Sequence, residues 1–244
     1  MSSQFLWVTR SSPYAFLTGH HLRSAGHKPL IAPVLNIRPV SYASLSKMPD
    51  ALVFTSTHGV TNYHFDPEMA EVRVFAVGQR TARTARDAGY RNVASADGNV
   101  SDLQDLLTSR VARGSSVVHL GAAEPAGDLT CKLVRQGFAA RHIPVYESLD
   151  VPSETLRPVG AALPWLDGVL VHSPKAGRRL ARFLLEYENL WHGTIFCISR
   201  AAAQPISAVT GGQVLVAQYP TENALIALVG GDGGHPLPSG RAHA

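Results

Sequence analysis

The sequence predicts an α/β protein made of two doubly wound parallel-sheet domains of flavodoxin type. Three observations predict it. Short apolar runs rich in β-branched residues alternate with amphipathic stretches, the runs are apolar on both faces, and the whole pattern occurs twice. A strand buried on both sides by crossover helices has to be apolar on both faces. Alternation of strands and helices in turn implies parallel sheets with right-handed crossovers.

In chain order the expected strands are Phe5–Thr9, Pro29–Val34, Ala51–Thr55, Val72–Val77, Val117–Leu120, His142–Tyr146, Gly168–His172, Thr194–Ile198 and Gln213–Ala217, with a weaker one at Asn92–Ala94. Helical periodicity covers Tyr14–Ala25, Thr81–Ala88, Asp102–Ala112, Gly127–Gln136, Lys175–Tyr187 and Glu222–Val229. Gly26, Gly89, Gly114 and Gly137 stand where helices should stop, and Ser101 stands where the third should be capped.

The repeat organises these elements. FLWVTR, LRSAG and PLIAPVL in residues 5–35 match VVHLGA, LVRQG and HIPVYES in residues 117–148. DALVFTSTHGV from Asp50 matches DGVLVHSPKAG from Asp167, and each is followed by two more strands and a helix. The first kind of segment supplies two strands and the second three, which makes a five-stranded doubly wound sheet. Pairing can be consecutive or nested. Nesting would put the first segment with the last and leave two parallel connectors and a cleft between the halves. The pattern alone admits both.

Composition narrows the function. The 244 residues are 45% hydrophobic and 16% charged, which excludes a disordered chain. No apolar run reaches the roughly 18–20 residues that span a bilayer, and MSSQFLWVTR does not read as a signal peptide, so the expected location is the cytoplasm. Cys131 and Cys197 are too few for a disulfide framework and read as small buried hydrophobes. The net charge is +4, carried mostly by arginine, with lysine only at 28, 47, 132 and 175. Arginine suits carboxylates and phosphates, but the basic residues are scattered, with no nucleic-acid arm.

Ligands of open α/β sheets bind at the carboxyl ends of strands. Those ends carry Thr9–Arg10, Ser56–Gly59, Gly78–Thr81, Gly121–Ala122, Tyr146, His172–Pro174 and Ser199–Arg200. Small and hydroxyl residues entering helices offer backbone N–H groups to anions, and they serve equally as helix caps. GxGxxG, GxxxxGK[ST] and GxSxG are absent, and none of the eleven histidines form HxxxH. No metal site is expected. Without strong catalytic motifs, an enzyme here would mainly bind and orient a reactive substrate.

The ordered set VTR, LRSAG, PLIAPVL, ALVFTS, VFAVGQRTARTARDAG, VY and GVLVHSP resembles the uroporphyrinogen-III synthase family over residues 5–229. VGxxTA followed by AxxAG is its best marker. The resemblance implies the nested arrangement: 1–36 with 153–230 as one domain, 41–146 as the other, and 37–40 and 147–152 as a two-stranded connector. The Gly/Pro-rich, aperiodic tail 231–244 is itself expected to be disordered. The resemblance implies cyclisation of the linear polycarboxylate hydroxymethylbilane to uroporphyrinogen III, with loss of water and inversion of ring D through a spiro intermediate. It further implies no cofactor, no nucleic-acid or membrane partner, and a monomer. Carried over by motif, Tyr146 is the acid for the leaving hydroxyl, and Arg10, Ser56, Gly78, Thr81, Ser173 and Ser199 bind substrate. Ser199–Ala203 reads SRAAA where the family often has a glycine and threonines. Two alternatives stay open: a non-catalytic tetrapyrrole- or anion-binding module, and a two-domain binding protein of periplasmic type, against which the missing signal peptide argues.

Overall fold

The computed structural model describes residues 2–187, 191–207, 209–210, 212–231 and 234–236. The chain forms two compact units: Met1–Asn36 with Leu149–Ala244 (unit one), and Ile37–Ser148 (unit two).

Unit one begins with β1 (Phe5–Val8), α1 (Tyr14–Ser24) and β2 (Lys28–Ile31). The chain then passes through β3 (Leu35–Pro39) into unit two. There it forms β4 (Ala51–Phe54), α2 (Thr57–Thr61), β5 (Arg73–Ala76), α3 (Gln79–Asp87), β6 (Val93–Ser95), α4 (Val100–Arg110), β7 (Ser116–Ala122), α5 (Leu129–Arg135) and β8 (Ala139–Asp150). Back in unit one it adds α6 (Ser153–Ala162), β9 (Gly168–Val171), α7 (Pro174–Leu185), β10 (Thr194–Cys197), α8 (Arg200–Ser207), β11 (Val214–Ala217), α9 (Glu222–Val229) and β12 (Gly234–Pro236).

The sheets run β12-β11-β10-β9-β1-β2 and β3-β8-β7-β4-β5-β6. Each holds a five-stranded parallel core of flavodoxin order, with the two-strand segment beside the three-strand segment, and the pairing is nested. Hydrogen bonds repeat with the sequence. The Asp167 carboxylate accepts from the Phe5 N–H at 2.7 Å and Asp50 accepts from the Ser116 N–H at 2.8 Å, so each aspartate ties the first strand of its partner segment. Gly26 and Gly137 both end helices at positive φ, 87° and 90°, a backbone region that glycine enters without a Cβ clash. These matches set the register of the repeat: Phe5 on Ser116, Asp50 on Asp167.

Each sheet is covered on both faces, which explains its doubly apolar strands. In unit one, Leu156, Leu180, Phe183 and Ile206 pack over one face, and Ala15, Leu22, Leu225 and Leu228 over the other. In unit two the faces take Val60 and Ala85, and Leu103, Leu107, Leu129 and Leu133. Among the described residues no helix is long and apolar enough to cross a membrane.

Several elements differ from expectation. Each sheet has six strands where five were expected. β3 and β8 run on as the connecting pair. The Val151 N–H donates to the Val34 carbonyl at 3.0 Å and the Val40 N–H to the Val145 carbonyl at 3.2 Å, so these segments run antiparallel, not parallel. The polar stretch after Asp150, where the sequence shows no helical periodicity, becomes α6, despite Pro158 within it. α4 is capped by Asn99, not Ser101: Asn99 Oδ1 accepts from the Ser101 N–H at 2.7 Å and Asp102 Oδ2 from the Asn99 N–H at 2.7 Å. In the tail expected to be disordered, Gly234–Pro236 pairs antiparallel with β11; residues 232–233 and 237–244 lie outside the described residues. Cys131 is exposed on α5, whereas Cys197 is buried, with its thiol pushed up to about 12 by desolvation.

Candidate active site

In unit two, β4 and β7 are neighbours at the point where strand order reverses, the position at which doubly wound sheets bind ligands. Beyond Phe54 the chain turns through Ser56 into α2. The Ser56 hydroxyl oxygen accepts from the His58 N–H at 3.2 Å and caps the helix. Next to it stands Tyr146, which a bulge at Gly121/Ala122 brings opposite Ala122, the last residue of β7. Tyr146 is 7% exposed, and the Ser56 side chain is close enough to act on its phenol. The His58 ring lies 5.6 Å from the Tyr146 ring, centroid to centroid. Burial pushes the phenol pKa up and the Ser56 side chain partly offsets this, so the phenol stays protonated at neutral pH. It is therefore a proton-bearing group beside the end of β7, able to donate to a departing anion.

β5 ends beside β4, and Gly78 caps α3 from an extended backbone at φ −159°. A Cβ there would meet nothing within 4 Å. Glycine is not required by this backbone or by any neighbour in the fold. Thr81 lies in the first turn of α3 and is 5% exposed.

On the opposite face of the same sheet, His119 of β7 lies 4.9 Å from His142 of β8 between ring centroids. His119 Nε2 is 3.0 Å from the Thr55 hydroxyl and Nδ1 is 3.5 Å from that of Thr130. Burial first, and the neighbouring His142 second, bring the His119 pKa down to about 4, so this pair is neutral. Among the described residues no group of three or more His, Cys, Asp or Glu side chains is placed to hold a metal ion.

Unit one has the corresponding tips. Ser173 caps α7, accepting from the Ala176 N–H at 3.1 Å, and Ser199 accepts from the Ala202 N–H at 3.3 Å at the start of α8. All three substrate-binding serines expected from the sequence thus cap helices. A capping oxygen still carries an O–H proton to give a carboxylate. The SRAAA departure has a packing reason: Ala202 and Ala203 are fully buried, and the Ala202 carbonyl approaches Gly177 so closely that a Cβ there would lie 2.4 Å from it.

Arg10 is engaged within the fold. Its Nη1 donates to Glu222 Oε2 at 2.7 Å, and its guanidinium lies 5.0 Å from the centre of the Tyr14 ring. Thr18 Oγ1 donates to Glu222 Oε1 at 2.5 Å, and His172 Nε2 is 3.4 Å from Oε2. Burial opposes ionisation of Glu222. The hydrogen bond and charge of His172, the charge of Arg10 and the Thr18 hydroxyl outweigh it and bring the pKa down to about 2. Glu222 is not among the residues expected from the sequence; its one signal is its place directly after a Pro-Thr pair beyond a strand end. His58 stood among the tip residues but was set aside with the other histidines.

The sequence model of the family described as Uroporphyrinogen-III synthase HemD matches residues 18–227. The chain belongs to the uroporphyrinogen-III synthase family. No curated protein matches it significantly. Among solved structures it is similar to the uroporphyrinogen-III synthetase of Helicobacter pylori, with a TM-score of 0.61 and 18% identity over 94% of this chain and 99% of that one. It is also similar to a mutant uroporphyrinogen III synthase of Thermus thermophilus, with a TM-score of 0.57 and 17% identity over 93% and 98%. Identities this low carry the fold alone, and the fold agrees with the family.

Proposed function

We propose that this member of the family is a uroporphyrinogen-III synthase, a cyclising hydro-lyase of tetrapyrrole biosynthesis. Its substrate is hydroxymethylbilane. The hydroxymethyl C–O bond breaks, and the oxygen leaves as water with a proton from the site. The substituted carbon of ring D attacks the resulting azafulvene, and the spiro intermediate fragments and recloses with ring D inverted. Family membership over residues 18–227 carries this reading. The protonated phenol of Tyr146 beside Ser56 supports its chemistry.

In this reading Tyr146 gives or relays the proton to the departing hydroxyl. Ser56, Gly78 and Thr81 receive substrate carboxylates through hydroxyl and backbone N–H groups at the starts of α2 and α3. Ser173 and Ser199 offer the same kind of contact in unit one. The same proposal takes the protein to work as a cytoplasmic monomer without nucleic-acid or membrane partners. The test is to supply purified protein with hydroxymethylbilane and separate the product isomers. Predominance of the type III isomer is expected; only the spontaneous type I isomer would overturn the proposal.

A further inference from the structure

The buried cluster in unit one is built like a bound anion. Arg10 follows β1 and His172 follows β9, two neighbouring strands at the point where strand order reverses. This is where an external ligand of a doubly wound sheet would sit. What sits there is the carboxylate of Glu222, the first residue of α9. Arg10 Nη1 lies 2.7 Å from one oxygen, His172 Nε2 is 3.4 Å from the same oxygen, and Thr18 Oγ1 is 2.5 Å from the other. The Glu222 and His172 side chains are only 5% and 6% exposed.

The repeat shows that the fold does not need these four residues. In the register set by the paired aspartates and glycines, Arg10 falls on Gly121, His172 on Thr55 and Thr18 on Leu129. Glu222, first in α9, falls on Val100, first in α4. Unit two has the same topology with none of these charges.

We propose that Glu222 is an internal anion occupying the switch-point anion site of unit one, so that Arg10, His172 and Thr18 serve it and this tip refuses external carboxylates. Glu222 is then a specificity-determining residue. Once its side chain is removed, the site should accept a carboxylate from solution. The inference goes beyond the proposed activity and holds whatever the substrate.

Glu222→Ala deletes a CH₂–COO⁻ group, the shape of acetate. Isothermal titration and thermal unfolding with acetate, against chloride at equal ionic strength, test the proposal. Glu222→Ala should bind acetate at least about tenfold more tightly than the unaltered protein, and its melting temperature should rise with acetate concentration. Glu222→Gln, whose amide fills the same space, should show no acetate response. Glu222→Ala with Arg10→Met should lose the response. The proposal is overturned if folded Glu222→Ala responds to acetate no more than the unaltered protein, or if its response survives Arg10→Met. It is overturned equally if Glu222→Ala stays unfolded at every acetate concentration while Glu222→Gln folds. None of these readouts uses enzymatic activity, so they stand or fall apart from the synthase reading.

Discussion

The two units fold one pattern twice and equip their tips differently. Ser56 and Ser173 are equivalent and both cap helices. Around them the residues part company. Tyr146 of unit two corresponds to Leu35 of unit one, and His58 to Lys175, so unit two has a phenol at a position where unit one has a leucine. On the opposite face, unit one packs an ionised cluster around Glu222, whereas unit two packs the neutral His119–His142 pair. The lesson is that the fold supplies strand tips and helix starts, while a few substitutions decide whether a tip is chemically equipped or filled from within. Under the proposed function Tyr146 is the proton donor of unit two, and Ser173 and Ser199 are proposed binding residues of unit one.

The contrast can be broken at several points. The largest effect is expected in unit one. Glu222→Gln leaves Arg10 and His172 without their buried partner and should cost about 3–5 kcal/mol, read from urea unfolding. A loss under about 1 kcal/mol would show that the cluster does not hold this tip together.

Acid should find the neutral pair of unit two. The folded pKa of His119 lies near 4, below its ordinary 6.5, so the unfolded chain binds the proton first as pH falls. Stability is therefore full above about pH 6.5 and declines toward pH 4, by about 3 kcal/mol in all. Replacing His119 by Asn should flatten that part of the pH–stability curve. An unaltered slope would assign the acid sensitivity elsewhere. The Glu222 carboxylate, held near 2, loses its contribution only at lower pH, between about 4.5 and 2.

Smaller effects sharpen the comparison of the serines. Ser173→Ala removes a helix cap and should lower stability by about 1 kcal/mol. If Ser173 also binds substrate, KM rises while kcat holds. The smallest effect on folding belongs to Gly78→Ala, since a Cβ there meets nothing within 4 Å. The variant should melt within about 2 °C of the unaltered protein, because alanine's poorer capping and its lower unfolded-state entropy offset each other to within about 0.5 kcal/mol. Its KM should rise if the backbone of this turn receives a carboxylate.

The sheet architecture was legible in the sequence because burial on both faces leaves a continuous apolar trace, and the repeat made its order readable. Elements with interrupted traces were not. α6 and α8 carry Pro158 and Pro205 inside them, which hides helical periodicity, and α2 is only five residues long. Capping at Asn99 was missed because the two-sided hydrogen bonding with Asp102 depends on loop geometry before the helix. At the site, Ser56 and Tyr146 could be named from motif and strand position, but their contact spans 90 residues of chain and required the fold. The Glu222 cluster was further out of reach, joining positions 10, 18, 172 and 222.

Tyr146 is the proton-bearing group on which the proposed chemistry turns. Single-turnover cyclisation of hydroxymethylbilane by Tyr146→Phe tests it. The phenyl ring keeps the packing, so the melting temperature should change little while the rate of type III product formation falls by about 10–100-fold. A folded Tyr146→Phe protein that cyclises at the unaltered rate would contradict it.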